Sequence, residues 1–247
     1  MNTSLLATSL ALSLLLPAAA SAGVGDPPPA PTIGKHEESP KFMSAGITFG
    51  GMAFQDENIT AGYGEAPGFL PRLSIGVIPW SKFVHFEIRT TLAFTILEGS
   101  QRVVSTGATS ADNVGLSVFP LTVDLLLGVD IVDEQPVVPY GGIGIAWSPW
   151  RETERDDELF GPGALGELIG RGDRFGFNAF FGGAFLLDVV EPERAGRLDA
   201  KAGVNDSYLV VEGRWNRARL QLQDGEWDES GLDFSGWSFH VGVKLTY

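Results

Sequence analysis

The sequence contains no cysteine. That absence removes disulfide bonds, thiol nucleophiles and thiolate metal sites, and with them any anchor attached through a lipobox cysteine. Basic residues are scarce as well: 17 Lys and Arg stand against 31 Asp and Glu, for a formal net charge of −14. Nucleic acid is excluded as a partner, because neutralising phosphates takes concentrated cationic side chains. The apolar run at the N-terminus, Leu5–Pro17, is too short to cross a bilayer as a helix. Glycine and phenylalanine are abundant, at 32 and 16 residues, as fits a sheet-rich chain with tight turns and aromatic faces. Mean hydropathy is only +0.09, as expected where apolar and polar residues alternate and average out.

The run Leu5–Pro17 leads into Ala20-Ser21-Ala22, and together they read as a cleaved secretory signal peptide over residues 1–22. Its first residues, Met1–Ser4, lack the usual Lys or Arg. Residues 23–41 are rich in proline and polar side chains and read as a disordered or polyproline leader. Residues 42–247 then form one β-domain.

The C-terminal run carries the clearest pattern. Trp237, Phe239, Val241, Val243, Leu245 and Tyr247 make an apolar row of period two, against Gly236, Ser238, His240, Gly242, Lys244 and Thr246. That is a strand with one oily and one polar face. Similar runs predict eight strands, near Met43–Phe54, Phe69–Pro79, Phe83–Ile96, Val114–Leu127, Val137–Ser148, Arg174–Leu187, Asp206–Ala218 and Phe234–Tyr247. Their lengths suit tilted strands crossing a bilayer. In several strands the glycines share the charged row, as a crowded, narrow interior requires, so the apolar row points outward. Connections alternate between shorter ones, such as Pro79–Lys82, and long polar loops at 55–68, 97–113, 149–173 and 219–233. The segment 188–205 is long for a turn and reads as containing a helical turn over 192–201. The fold class is therefore all-β: an eight-stranded antiparallel transmembrane β-barrel.

Three features carry a family resemblance: the stretch Val138-Pro139-Tyr140-Gly141-Gly142-Ile143-Gly144, the terminal aromatic strand and the signal peptide. With them the chain resembles small outer-membrane barrels of the OmpA/OmpX/OmpW type, most of all the single-domain barrels of the myxobacterial kind. The resemblance implies a bacterial outer-membrane location. It implies that Phe239, Val241, Val243, Leu245 and Tyr247 are the C-terminal signal read by the barrel-assembly machinery. It implies outer-membrane lipid and lipopolysaccharide as surroundings. No catalytic residues, cofactor or metal come with it, and no peptidoglycan-binding domain follows the barrel.

His85, Glu87, Arg89, Asp124, Glu212, Arg214, His240 and Lys244 fall on the inward row. Buried charges must pair, so Glu87 and Arg89 are expected to pair near Asp124, and Glu212 and Arg214 near His240 and Lys244. The expected result is a polar plug in a non-enzymatic barrel with a structural, adhesive or small-ligand role; the alternatives are a lipid A-modifying barrel enzyme and a narrow transporter of small hydrophobic compounds. Ser238 and His240, like His85 and Glu87, stand two residues apart on one strand and make no nucleophile–base pair. Trp80, Tyr140, Trp147, Trp150, Trp215, Trp237 and Tyr247 are expected as aromatic girdles at the membrane interfaces. Acidic groups at 152–158 and 224–233 suit divalent cations bridging lipopolysaccharide phosphates. Arg171-Gly172-Asp173 spells an integrin-binding tripeptide and is set aside as a coincidence of composition.

Overall fold

The computed structural model describes residues 41–64, 67–81, 83–102, 109–131, 135–155, 167–189, 198, 201–223, 226–229 and 231–247. The expected signal peptide and nearly all of the expected leader lie outside these residues.

In chain order the elements are β1 (Met43–Phe54), α1 (Glu57–Tyr63), β2 (Gly68–Phe69), β3 (Arg72–Ser81), β4 (Val84–Ala93) and β5 (Thr95–Arg102). There follow β6 (Thr109–Val118), β7 (Leu121–Val129), β8 (Val137–Arg155), β9 (Glu167–Leu186), β10 (Asp206–Gln223), β11 (Glu226–Asp228) and β12 (Gly236–Thr246). Eight of the strands close a ring in the order β1, β3, β4, β7, β8, β9, β10, β12, each antiparallel to its neighbours. The closing pair runs from Ser44 opposite Thr246 to Phe54 opposite Gly236. Closure leaves no edge within the ring to recruit another strand. All eight predicted strands are present as members of this ring.

Two members bend. The path of β4 continues as β5 after Phe94, and β6 leads into β7 across Phe119 and Pro120. Proline has no N–H for the ladder, yet its carbonyl accepts from Ala93 N at 2.8 Å, so the two strands stay joined through the break. Phe94 and Phe119 pack there with ring centroids 5.1 Å apart.

Alternation decides sidedness. Ile75, Phe181 and Ile145 are 62, 65 and 68 % exposed on the outer face, while Arg89, Glu212 and His240 on the opposite row are buried. A continuous oily belt around a closed barrel is far more apolar surface than a water-soluble chain exposes. Its natural solvent is the hydrocarbon of a bilayer. This is a transmembrane β-barrel.

Three strands run well beyond the predicted limits. β8 and β9 pair from Val137 opposite Phe185 out to Glu154 opposite Glu167, through most of the segment expected as loop 149–173. β10 likewise continues to Gln223 and takes up β11. Crossing a bilayer needs only about 9–11 tilted residues, so strands of 19, 20 and 18 residues project past it. The projection is stable because its inner face is apolar: Ile59, Leu97, Leu116, Val118, Ala218 and Phe234 form a buried core there. The tripeptide Arg171–Asp173 lies in this ladder, paired with Pro149–Arg151, and not in a loop tip.

The expected aromatic girdle needs correction at two positions. Tyr140 and Trp150 share the inward parity of Gly142 and Gly144. Tyr140 reaches Glu212 in the lumen, and Trp150 packs edge-on against Phe234 in the upper core. Trp80, Trp147 and Trp237 are exposed on the outside, and Trp215 packs edge-on against the exposed Phe177. Tyr247 is partly buried and exchanges backbone hydrogen bonds with Met43.

Candidate functional site: the charged lumen

The inward row of each strand meets at mid-barrel in a charged network. Arg214 donates to Asp124 with both terminal nitrogens, Nη1 to Oδ1 at 3.0 Å and Nη2 to Oδ2 at 2.7 Å. Nη1 also reaches Asn178 Oδ1 at 2.8 Å. Arg89 donates to Glu212 Oε2 at 2.8 Å and to Asp124 Oδ2 at 3.3 Å. Arg72 donates from Nη1 to Glu212 Oε1 at 2.9 Å, and the hydroxyl of Tyr140 lies 3.3 Å from Glu212 Oε2. The guanidinium carbons of Arg89 and Arg214 both sit over the ring of Phe180, at 4.7 and 4.5 Å, where the π face attracts cations. Charge-assisted and forked contacts of this kind are the strong hydrogen bonds of proteins.

A second group lies beside the first. Glu87 accepts from Ser44 Oγ at 2.6 Å and contacts His85 Nε2 at 3.1 Å. Lys244 donates to Oε2, the oxygen that His85 also meets, while Ser44 holds Oε1.

Glycines make the room. A side chain at Gly144 would overlap Asp124 and stand 2.6 Å from the Val123 carbonyl oxygen. At Gly76 it would overlap Glu87, and at Gly182 it would come within 2.7 Å of the Tyr140 hydroxyl. The plug therefore depends on missing Cβ atoms as much as on the charges.

Pairing differs from the expectation in a consistent way. Arg89 does meet Asp124 on the neighbouring β7, but it also crosses to Glu212 on β10. Glu87 pairs with Lys244 rather than with Arg89, and Arg214 pairs with Asp124 across the lumen. Arg214 does contact Glu212 at 3.1 Å, but His240 and Lys244 take no part in that group. His240 is fully buried, and neither ring nitrogen has a hydrogen-bond partner. Arg72, Asn178 and Ser44 were not singled out from sequence. The signal for Arg72 was there, since it shares the inward parity of Ser74 and Gly76 opposite Leu73 and Ile75.

In the order Ser44, Glu87, His85 the carboxylate stands in the middle, so His85 meets the acid and not the hydroxyl, unlike the order of a Ser/His/acid set. Ser238 lies 3.4 Å from Asn216 Nδ2. Of the acidic groups, residues 156–158 and 224 lie outside the described residues. Glu152 accepts from Tyr63, Glu229 pairs with Arg219 at 2.8 Å, and Asp233 caps Ser235.

Above and below the network lie apolar layers. Val138, Ala184, Leu186, Tyr208 and Val210 cluster toward the end where the chain enters and leaves the ring. At that same end Lys41 pairs with Asp206 at 2.6 Å. Toward the loop end lie Met52, Leu70 and Ala93, then the core roofed by α1 through Ile59. Asp56 caps α1 by accepting from Asn58 N, and its other oxygen holds Asp233 N at 2.7 Å. Burial, reinforced by the hydrogen bond to Glu152, raises the Tyr63 phenol well above its ordinary value.

Fold and lumen together define a small transmembrane barrel with a charged interior. Among solved structures the chain is similar to OprG from Pseudomonas aeruginosa, at 10 % identity over 85 % of this chain and 97 % of that one, with a TM-score of 0.48. It is similar to Neisserial surface protein A at 14 % identity, 84 % and 97 % coverage and a TM-score of 0.43. It is also similar to the outer membrane protease OmpT from Escherichia coli, at 9 % identity, 85 % and 99 % coverage and a TM-score of 0.41. No protein-family model and no curated protein sequence matches the chain.

Proposed function

We propose that this protein is a closed, non-enzymatic barrel of the bacterial outer membrane, with a structural or adhesive role exercised at its projecting loop end. The observation that carries the reading is the set of ion pairs crossing the lumen from β10 to β7, β4 and β3. Flanking apolar layers add a second barrier to ions. Each charge in the plug is held by partners on other strands, so opening a conducting path would strip several buried charges at once.

The apolar belt and the C-terminal residues Phe239, Val241, Val243, Leu245 and Tyr247 support insertion by the barrel-assembly machinery. Lipopolysaccharide would surround the projecting hairpin of β8 and β9. A place among OmpA/OmpX/OmpW-type barrels, of the myxobacterial kind, draws its support from the eight-stranded ring.

Planar-bilayer recording with the purified protein tests closure. Electrically silent insertion is expected, and steady single-channel conductance would overturn the reading. Cell fractionation with heat-shifted gel mobility tests location: the folded barrel should sediment with outer membranes and migrate differently before and after boiling.

A further inference from the structure

At the top of the oily belt the outward row of β8 turns cationic. Ile143, Ile145 and Trp147 are exposed on the outer face, and the row continues through Pro149 to Arg151. Trp147 faces Phe175 on β9, and four residues further up Arg151 faces Arg171 in the same antiparallel ladder. The inner side fixes which way Arg171 points. Added Cβ atoms at Gly170 and Gly172 would both meet the Trp150 ring inside the barrel, so the residue between them points out. Both arginines are exposed.

Directly opposite residues of an antiparallel pair hold their Cβ atoms about 4.5–5.5 Å apart, and like charges so placed repel. The chain has 31 acidic and 17 basic residues, so carboxylates are in ample supply. Yet neither arginine has an ion-pair partner among the described residues. Asp173, on the same outer row of β9, accepts from Trp147 Nε1 at 3.3 Å instead. Two adjacent cations are left facing outward together.

Height decides what meets them. The guanidinium carbon of Arg151 lies 5.9 Å from the centre of the Phe119 ring. Phe119 packs on Phe94, exposed just past the end of β4. The charge is thereby held against the upper rim of the belt, where Trp147 and Phe175 stack with centroids 6.4 Å apart. Four residues of strand add about 13 Å along its axis, less in height because barrel strands tilt. Long cationic side chains rooted there lay their stems on apolar surface and keep their heads in the headgroup layer. The anionic group of that layer is phosphate, which guanidinium forks grip with paired hydrogen bonds. Below the arginines Ile143 and Ile145, 64 and 68 % exposed, offer the same molecule a surface for its acyl chains.

We infer that Arg151 and Arg171 form a direct binding site for a phosphate of an outer-leaflet glycolipid whose acyl chains lie along β8 and β9 beneath it. The site rests on the outer-membrane reading and deepens it by naming the contact. Carboxylates reach a lipid phosphate only through a divalent cation, whereas two guanidiniums reach it unaided. Arg217 on β10 is the natural comparison: it lies over the outward Phe177 ring at 6.0 Å, and its ladder partner is that phenylalanine, not a second cation.

The test uses the folded protein in nonionic detergent micelles with EDTA present, and native mass spectrometry to count bound lipid. Bisphosphorylated lipid A is the probe; its dephosphorylated form and inorganic phosphate are the comparisons. A saturable adduct of one lipid is expected, insensitive to EDTA and absent with the dephosphorylated form. Arg151→Gln and Arg171→Gln should each weaken it by about tenfold. Arg151→Lys should recover only part, because an ammonium lacks the fork, and Arg217→Gln should change affinity by less than about twofold. Both arginines are exposed, so the variants should keep their heat-shifted gel mobility. Equal adducts with dephosphorylated lipid A would overturn the inference, as would an adduct that EDTA abolishes, which would assign the contact to a bridging metal. Equal weakening by Arg217→Gln would reduce it to diffuse attraction between cations and lipid. Displacement by inorganic phosphate at the lipid's own concentration would make it a site for the free anion. Fractionation of the protein away from outer membranes would sink the location and leave saturable lipid binding standing.

Discussion

Arg214 on β10 and Asp124 on β7 grip each other through two parallel hydrogen bonds, at 3.0 and 2.7 Å, although β8 and β9 separate their strands around the ring. The pair is a strut across the barrel, and both side chains are buried. Breaking a buried pair by deleting one partner strands the other charge. Arg214→Met is therefore expected to destabilise the folded barrel by about 3–5 kcal/mol. Reversible urea unfolding in vesicles measures this. The double variant Arg214→Met/Asp124→Leu should recover much of the loss, since replacing both charges removes the desolvation penalty as well.

Interior glycines give a steric prediction. Gly144→Ala places a methyl group against Asp124 and the Val123 carbonyl, and should cost about 1–3 kcal/mol as overpacking. Gly115→Ala is the comparison, because its nearest neighbour, Thr153 Oγ1, would lie at an ordinary 3.5 Å. Heat-shifted mobility should survive in the second variant at temperatures where the first has already unfolded.

Sidedness can be tested from the outside. Ile75 stands in the middle of the outer face of β3. Ile75→Arg should lower folding stability in lipid by about 2–4 kcal/mol, as for a cation facing the bilayer midplane. A substitution that left stability in vesicles unchanged would show that this face meets water.

Tyr63 links the α1 roof to the β8 strand, and its phenol is raised by burial and by its hydrogen bond to Glu152. The unfolded chain releases the phenolic proton near 10, whereas the folded chain retains it above that. The tie is therefore fully present below pH 10 and is lost as the pH rises from there toward the folded value. Ultraviolet titration of tyrosinate should show this group resisting ionisation until the fold opens. In Tyr63→Phe one late-ionising group, and its share of the alkaline loss of stability, should disappear.

How much was legible follows from what period two can encode. The rows of the last strand, Trp237 to Tyr247 against Gly236 to Thr246, determine which side chains share a face, because the pleat assigns alternate residues to opposite sides. The same rule applied evenly would have placed Arg72, Tyr140 and Trp150 inside. At these three positions parity, and not residue type or nearness to a strand end, decides the face.

Strand alternation and glycine placement within the sequence determined the ring of eight strands, its oily exterior and the identity of its inward charges. Tertiary structure alone decided that Arg214 answers Asp124, that Glu87 answers Lys244, and that His240 is buried without a hydrogen-bond partner. The physical reason is that a strand's pattern fixes the face of each side chain but carries no information about height or about the strand opposite. Only ring closure and register bring residues 90 and 157 positions apart within hydrogen-bonding reach.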